Sequence, residues 1–446
     1  MSGASGASAG VSQYLARYAA PESVLAKEIT ERYYAVLVVP AFCEAPGMLE
    51  QYRRALTAAP GRVLVIVVVN AALSHAASSW PANRELLDDL RSGAAVGSFA
   101  AQPAWLSRHD RFDVLSIDRA HPDHCFPDRQ GVGLARRIGC DLALALYAGA
   151  RLEVPYIYNT DADAELPAGY FGARPPEPAA AIVFPFWHVP GGDVAIDAAT
   201  ALYELGLRYY VAGLAHAGSP FAFHSLGSAM AVDARAYAAV RGFPKRLAGE
   251  DFYLLDKLAK VGGVWRADQS TLELASRASL RTAHGTGVAA VKLAAEMHTG
   301  TTPFYHPQIF SALAGWLGAM EAFVKDRDLA RARAELTRSA GITAAPLEAL
   351  LGELGAWEAL ELAARSTRSE QPLRSRVHTW FDGFRTLKLV HGLRRSCLPS
   401  VPFREALAAS WCPAAPLAAQ ASIDELRLVL FEHQARLPPH LGARLR

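Results

Sequence analysis

The sequence predicts an α/β domain followed by an all-helical C-terminal region. Two observations predict the α/β domain: runs of β-branched residues that stay apolar along their whole length, and helix-like segments between these runs. Continuously apolar strands are typical of a parallel sheet that is covered by helices on both faces. A third observation predicts the helical region, because strand signals stop near residue 300 while helical periodicity continues.

The bulk composition describes a globular protein with no marked charge. Of the 446 residues, 51% are hydrophobic and 20% are charged, and a chain of this length is expected to form more than one compact unit. The formal net charge of +2 gives no reason to expect a nucleic-acid partner. The five cysteines form no CxxC pair, which favours a reducing, cytoplasmic compartment.

No segment is expected to cross a membrane. The first residues are small and polar, without the basic start and apolar core of a signal peptide, and they predict a flexible leader over residues 1–30. The longest apolar runs, "AVLVVPAF" and "VLVIVVV", have the length of strands and are too short for a spanning helix. We therefore expect the α/β domain over residues 31–299 and the helical region over residues 300–446.

Strands and helices alternate in the predicted α/β domain, as in layered α/β folds. Shorter strands are expected in "AAIVFPFW", "GSAMAVD" and "GVWRA". The longer predicted strands are 34–39, 62–70, 112–120 and 154–160. The predicted helices are 45–58, 78–101, 131–150, 196–214 and 251–261, followed in the C-terminal region by 309–324, 329–339, 346–364, 376–394 and 423–434.

A short acidic stretch, "TDADAE", follows the predicted strand 154–160. Asp161 and Asp163 are two residues apart, so an extended chain directs both side chains the same way. The carboxyl ends of parallel strands form the ligand crevice of an α/β sheet. Two carboxylates there suit a hard divalent cation, Mn²⁺ or Mg²⁺, that also binds substrate phosphates. An acidic turn or a helix cap is the plainer interpretation of such a pair when it stands alone.

Four other segments bring residues of ligand-binding character to this strand. "VVPAFCEAP" (38–46) runs from a strand into a loop with Glu44, and "GVGLARRIGCD" (131–141) carries Arg136 just before the acidic strand. "HSLGSAMAVDARAYAAVRGFP" (224–244) has small residues where a backbone can approach a ligand closely. "LAGEDFYLLDKLAKVGG" (247–263) puts Glu250 and Asp251 at a helix start, where acids also favour the helix dipole.

Together and in this order, the five segments resemble the GT-A glycosyltransferases, family 2 most closely, over residues 33–287. The resemblance implies a Rossmann-like, mainly parallel sheet between helices. It also implies transfer of a sugar from a nucleoside-diphosphate donor to an acceptor hydroxyl, with inversion at the anomeric carbon. Asp251 is the preferred general base and Glu250 the second choice. The resemblance also implies nucleotide contacts by Pro40, Ala41 and Glu44. It implies metal and diphosphate binding by Asp161 and Asp163, with His284 as a third metal ligand. It places the donor sugar or the acceptor at Gly227 and Ser228.

One position departs from the family pattern. Many members carry Asp-Asp-Gly-Ser at the end of the second strand, where an aspartate holds the uracil or ribose, whereas this strand ends "VVVNAALS" with Asn70. An amide both donates and accepts hydrogen bonds, so a base or ribose contact by Asn70 stays open, and the identity of the nucleotide is not fixed. Some arginines suit anionic groups. Arg136 or Arg137 is expected to add a second cation for the leaving diphosphate. Arg277 and Arg281 suit phosphate contact or loop closure, or form a solvated basic loop.

Three other functions stay open at this point. One is a retaining GT-A enzyme of the mannosylglycerate synthase type, which also carries a helical C-terminal region. The second is a sugar-nucleotide nucleotidyltransferase, although "PAFCEAPGM" lacks the basic residue that such enzymes carry after the first strand. The third is a non-catalytic nucleotide-binding α/β protein. The sequence does not identify the acceptor, and a homo-oligomer is possible.

The segment "HTWFDGFRTLKLVHGLRRSCLPS" of the C-terminal region is amphipathic, basic and aromatic. Such a face suits an acceptor, a partner helix or peripheral contact with a membrane, besides packing on the rest of the chain.

Overall fold

The computed structural model describes residues 2–99, 102–268, 270–278, 286–297, 302–340 and 343–441. The chain forms two compact units, one of residues 1–191 and 225–288 and the other of residues 192–224 and 289–446. This division differs from the predicted boundary near residue 300. Segment 192–224, which the sequence assigns to the α/β domain, belongs with the C-terminal helices.

The first unit is an α/β unit with a large mixed, mostly parallel sheet, which confirms the predicted α/β class. The sheet order within this unit is β11-β8-β10-β6-β1-β2-β5-β4-β3, and β7, β12 and β9 form a second, small sheet. The strands are β1 (Ala35–Ala41), β2 (Val63–Asn70), β3 (Ala94–Phe99), β4 (Ala104–Arg108), β5 (Phe112–Arg119), β6 (Tyr156–Asn159), β7 (Ala164–Glu165), β8 (Ala181–Val183), β9 (Phe186–Val189), β10 (Met230–Asp233), β11 (Val264–Arg266) and β12 (Leu272–Ala275).

The centre of the sheet is parallel, as the continuously apolar strands predict. β1 pairs in parallel with β2 on one side and with β6 on the other, and all residues of β1 and β2 are buried. β10 runs antiparallel to both β6 and β8. The helices of this unit are α1 (Ser2–Arg17), α2 (Glu50–Ala58), α3 (Leu73–Leu90), α4 (Val132–Ala148), α6 (Ala234–Ala239) and α7 (Glu250–Val261).

Helix α4 lies directly against β1. A Cβ atom on Gly139 would come within 2.4 Å of Cγ1 of Val38, so only glycine allows this approach. The close contact fixes where Arg136, one helical turn earlier, enters the interior.

The second unit is mainly helical, as predicted for the C-terminal region, with short strands that were not predicted. Its core includes Phe310, Trp316 and Phe381, each 1% exposed or less. Its elements are α5 (Val194–His216), α8 (Thr286–Met297), β13 (Pro303–Phe304), α9 (Gln308–Asp326), α10 (Leu329–Ala340), α11 (Ala344–Glu353), α12 (Ala356–Arg365), α13 (Glu370–Trp380), α14 (Gly383–Ser396), β14 (Val401–Pro402), α15 (Phe403–Leu407), α16 (Ile423–Arg436) and β15 (His440–Leu441). Among the helices described, none has both the length and the apolar character of a membrane span.

Three predicted helices differ from the observed elements. The predicted helix 78–101 ends at Leu90, and the strands β3 and β4 follow it. The small residues of "AAVGSF" form a strand because they pair with β4 in the sheet. The predicted helix 346–364 breaks at Gly355, whose φ of +70° favours glycine. The predicted helix 376–394 breaks at Asp382, whose carboxylate caps α14 by accepting a hydrogen bond from the Arg385 N–H at 2.9 Å.

The N-terminal segment is folded, which differs from the flexible leader that its composition predicts. Tyr14 on α1 is 2% exposed, and its Oη donates a hydrogen bond to Oδ1 of Asp141 at 2.7 Å. The Ala20 N–H donates to Oδ2 of Asp141 at 2.7 Å, and Oη of Tyr237 donates to Oδ1 at 2.9 Å. The segment folds because it donates hydrogen bonds to Asp141, a buried acceptor 121 to 127 residues further along the chain. The composition of the segment cannot reveal so distant a partner.

The Asp141 contacts predict a large loss of stability in Asp141→Ala. The substitution leaves three donors without their acceptor in a buried place, so we expect the free energy of unfolding to fall by about 3 kcal/mol. Chemical denaturation measures the loss. Asp88→Ala on α3 is the control, since the Asp88 side chain is 63% exposed, and it should stay within about 0.5 kcal/mol of wild type. Equal stability of the two variants would contradict the role given to Asp141.

Candidate functional site

Asp161 and Asp163 directly follow β6, at the carboxyl end of a strand parallel to β1. The backbone carbonyl of Asp161 accepts a hydrogen bond from Oη of Tyr52 at 2.8 Å and another from the Ala164 N–H at 3.2 Å. These bonds fix the turn that carries both acids. The two carboxylates therefore lie where open α/β sheets have their ligand crevice.

Arg136 on α4 is the buried cation beside these acids. Its side chain is 3% exposed, and its Nη2 donates to Oδ1 of Asp161 at 2.5 Å. Its Nε donates to Oε1 of Glu250 at 3.2 Å and its Nη1 to the carbonyl of Thr160 at 3.4 Å. Burial acts to lower the pKa of Arg136, but the charges of Asp161, Glu250 and Asp251 outweigh it and raise the pKa. The guanidinium thus stays charged and joins the end of β6 to the start of α7.

Glu250 and Asp251 begin α7, after Gly249 with a φ of +72°. The Asp251 carboxylate accepts a hydrogen bond at each oxygen: Oδ1 from the Phe252 N–H at 2.7 Å and Oδ2 from the Gly227 N–H at 2.8 Å. Burial raises the pKa of Asp251. Burial and then the charge of Asp251 raise the pKa of Glu250 to about 7. The two acids therefore differ in setting: Glu250 faces Arg136, and backbone amides hold Asp251.

The predicted Gly-Ser stretch lies between the two acidic pairs. A Cβ atom on Gly227 would come within 2.7 Å of Nη2 of Arg136, so glycine is required for the arginine to reach Asp161. The carbonyl of Ser228 accepts a hydrogen bond from Oγ1 of Thr160 at 2.9 Å, and Ser228 is 5% exposed. This stretch therefore acts in the site chiefly through its backbone.

A cleft of about 560 Å³ opens beside Asp163. It is lined by the loop 43–48, Gln51, Ala162, Asp163 and Arg277. Helix α3 holds the loop in place, because the Cys43 N–H donates to Oδ1 of Asn83 at 2.8 Å and the Gly47 N–H donates to Oδ2 of Asp89 at 2.8 Å. Cys43 has a φ of +52°, so it lies in the left-handed region that such a non-glycine residue seldom adopts.

Arg277 spans this cleft. Its two Nη atoms donate to the two carboxylate oxygens of Glu44 at 3.0 and 3.2 Å, and its Nε lies 2.5 Å from Oδ2 of Asp163. A planar guanidinium that contacts two carboxylates in this way matches the geometry in which arginine binds phosphate oxygens. The Arg277 side chain is 36% exposed, so a ligand can reach it.

The described residues of the site carry more acids than bases. Among them, five carboxylates interact with one another and with two guanidiniums, those of Arg136 and Arg277. Burial and then the charge of Asp161 raise the pKa of Asp163 to about 6, although Arg277 acts to lower it. The site therefore favours a proton or another cation. The five carboxylates are those of Glu44, Asp161, Asp163, Glu250 and Asp251.

The remaining predicted site residues have different surroundings. Pro40 and Ala41 are buried within β1. The Asn70 side-chain amide donates to the carbonyls of Ala41 at 2.9 Å and of Val68 at 3.2 Å, so its N–H groups tie the ends of β1 and β2 together. Glu44 is the member of the predicted nucleotide set that lines the cleft. His284 and Arg281 lie outside the described residues.

Three residues of the site were not predicted from the sequence. Tyr52 holds the Asp161 backbone, Thr160 bridges to Ser228, and Asn83 holds the loop after β1. Their partners are 109, 68 and 40 residues away along the chain, and Tyr52 and Asn83 belong to no motif, while Thr160 only begins the acidic stretch "TDADAE". The only signal was their position beside segments already singled out.

The donor chemistry fits a hard divalent cation, which these residues would hold only in part. Asp161 and Asp163 offer carboxylate oxygens, and their side chains are 43% and 24% exposed. Within the described ranges, no three or more His, Cys, Asp or Glu side chains are arranged to hold a metal ion. Phosphate and water oxygens would therefore have to complete the coordination, as is usual for Mg²⁺ in nucleotide sites.

Comparison of the chain with protein families and with curated proteins found no match in either.

The contacts of Arg136 predict a pH-dependent loss of stability in Arg136→Met. Removing the guanidinium leaves Glu250 buried without its cation and takes away the partner of the half-exposed Asp161, so we expect a loss of about 3 to 5 kcal/mol at pH 8. The folded pKa of Glu250, about 7, lies above its ordinary value of 4.5 and should rise further without Arg136. A folded pKa above the unfolded one gives stability that is present at low pH and is lost as the pH rises, so the deficit should shrink at pH 5.

Thermal and chemical unfolding of wild type and variant at both pH values measures this difference. Arg235→Met is the control, because the Arg235 side chain is 53% exposed and lies 3.8 Å from its acid, Asp233. A deficit in Arg136→Met that is equal at the two pH values would contradict the ionic role of Arg136.

Proposed function

We propose that this chain is a metal-dependent glycosyltransferase with a GT-A fold, which transfers a sugar from a nucleoside-diphosphate donor to an acceptor hydroxyl with inversion. The observation that carries the proposal is the link through Arg136 between Asp161 at the end of β6 and Glu250 at the start of α7. Acids that bind the donor and acids that take a proton must lie side by side in such a site. Neither pair is near the other in sequence.

The cleft beside Asp163 supports a diphosphate as the ligand. Its wall carries Arg277, whose guanidinium is bound to Glu44 and Asp163 by charged hydrogen bonds. Phosphate oxygens can replace these carboxylates as acceptors, because they present the same charge and spacing. Arg277 would then bind the diphosphate and release Asp163. A divalent cation on Asp161 and Asp163, when bound, would neutralise the charge that builds on the leaving diphosphate.

The reaction needs one proton acceptor. The acceptor hydroxyl attacks the anomeric carbon, the bond from that carbon to the diphosphate oxygen breaks, and its electron pair leaves with the nucleoside diphosphate. The hydroxyl proton passes to the carboxylate of Asp251. This carboxylate keeps lone pairs for a proton, since each oxygen accepts a single backbone hydrogen bond from the residues that the structure describes.

Burial and contacts support Asp251 over Glu250 as the base. Glu250 is 4% exposed and its Oε1 faces Arg136, whereas Asp251 keeps partial exposure. Glu250 suits a positioning role, because it holds Arg136 against Asp161. The raised pKa of Asp251 brings it closer to the pKa range in which a general base works at neutral pH.

Ligand-dependent melting tests the donor site. We expect UDP, GDP or ADP to raise the melting temperature, one of them most, and Mn²⁺ to enlarge that rise, because a ligand that binds only the folded state stabilises it by mass action. Asp163→Ala should lose the metal-dependent part. Glu165→Ala is the matched control, since Glu165 is an exposed acid two residues further along the same segment. The absence of any shift with all three nucleotides, with and without Mn²⁺, would refute the proposal.

Asp251→Asn tests the base once a donor is identified. We expect turnover to fall by about 10²- to 10⁴-fold while the nucleotide-dependent melting shift stays near that of wild type. The amide places an N–H group against a backbone N–H, of either Gly227 or Phe252, so the melting temperature without ligand is measured alongside. Loss of nucleotide binding in a folded variant would show that Asp251 belongs to the donor site instead.

A further inference from the structure

Helix α14 carries a basic face outside the site described above. Its sequence, "GFRTLKLVHGLRRS", contains no Asp or Glu. Thr386, Leu389, Val390 and Leu393 form its buried side. The opposite side carries Phe384, Lys388, His391 and Arg395 at helical spacing, with Arg394 next to them, and we name these five residues the α14 basic face.

The cations of this face lie beside aromatic rings. Nζ of Lys388 is 4.8 Å from the ring centre of Phe384, and Cζ of Arg394 is 5.4 Å from that of Tyr305. Phe384, His391 and Tyr305 are partly exposed, while Lys388 and both arginines are exposed. Partly exposed rings with cations next to them are typical of protein surfaces that meet the headgroup region of a bilayer.

The charge of the face is not neutralised by nearby acids. In the part of the chain that is described, Lys388, Arg394 and Arg395 form no ion pair. The exposed arginines of α10, in the same unit, are all paired. These pairs are Arg331 with Asp326, Arg333 with Glu348, and Arg338 with Glu335.

We propose that the α14 basic face binds the surface of a membrane that contains anionic phospholipids. The face extends over about 16 Å, at 1.5 Å per residue, and its three unpaired cations suit the negative potential of such a surface. Nucleic acid is less well matched, because its binding depends on many phosphate contacts and the whole chain has a net charge of only +2. The buried side of α14 packs within the protein, so the binding is electrostatic and reversible.

Vesicle flotation tests this proposal on the full chain. We expect wild type to float with vesicles of phosphatidylcholine and phosphatidylglycerol at low salt, and to remain in solution with phosphatidylcholine alone or at high salt. In the triple variant Lys388→Gln, Arg394→Gln, Arg395→Gln, the fraction that floats with the vesicles should be at least about tenfold lower than in wild type.

The matched control removes the same three charges from α10, by Arg331→Gln, Arg333→Gln and Arg338→Gln. It should float like wild type, and melting curves of both variants check that they fold. If the first variant does not fold, Lys388→Gln alone takes its place. No flotation of wild type, or equal flotation of the two triple variants, would overturn the proposal. Binding to single-stranded DNA or to poly-aspartate without binding to vesicles would overturn it in favour of another polyanion.

Discussion

The candidate site depends on one buried guanidinium. Arg136 enters from α4 and contacts Asp161, Thr160 and Glu250, which come from two other parts of the chain. Burying this charge is costly, and the surrounding carboxylates offset the cost only while their geometry is kept. The glycines follow from the same constraint: Gly139 lets α4 approach β1, and Gly227 leaves room for the guanidinium itself.

The clustering of carboxylates among the described residues gives the site a second property. Nearby like charges and burial both disfavour ionisation, so Asp163 and Glu250 hold protons at a higher pH than free carboxyl groups do. Arg277 relieves part of this charge from the side of the cleft. A ligand that brings its own cation can take over that task, so the occupancy of the cleft and the protonation of the acids are thermodynamically coupled.

Much of the α/β fold could be predicted because its signals are local. The apolar runs of β1, β2 and β6 are continuous, α4 has a clear helical period, and the acids follow β6 directly. The missed features depend on distant partners. Strand β3 has a weak sequence pattern of its own and forms because β4 pairs with it. Helix α1 packs on the α/β unit because Asp141 accepts a hydrogen bond from its Tyr14.

The site was predicted only as a set of residues. Sequence order brought the acids, Gly227 and Arg136 into one hypothesis, but the partners of Arg136 follow from the fold. A free arginine would suit a leaving diphosphate, whereas the observed one directs its Nε and Nη2 to the protein's own acids. Which cation meets which carboxylate depends on packing between segments up to 233 residues apart, as in the pair of Arg277 and Glu44. No local pattern carries that information.

The docking of α1 has a consequence for the order in which the chain folds during synthesis. Tyr14 shares the Asp141 carboxylate with Tyr237, and the two tyrosine rings are 5.8 Å apart. Helix α1 therefore cannot complete its contacts until residue 237 has emerged from the ribosome. Long-range contacts of this kind form late. We infer that helix α1 lacks its final partners while most of the α/β unit is still being synthesised.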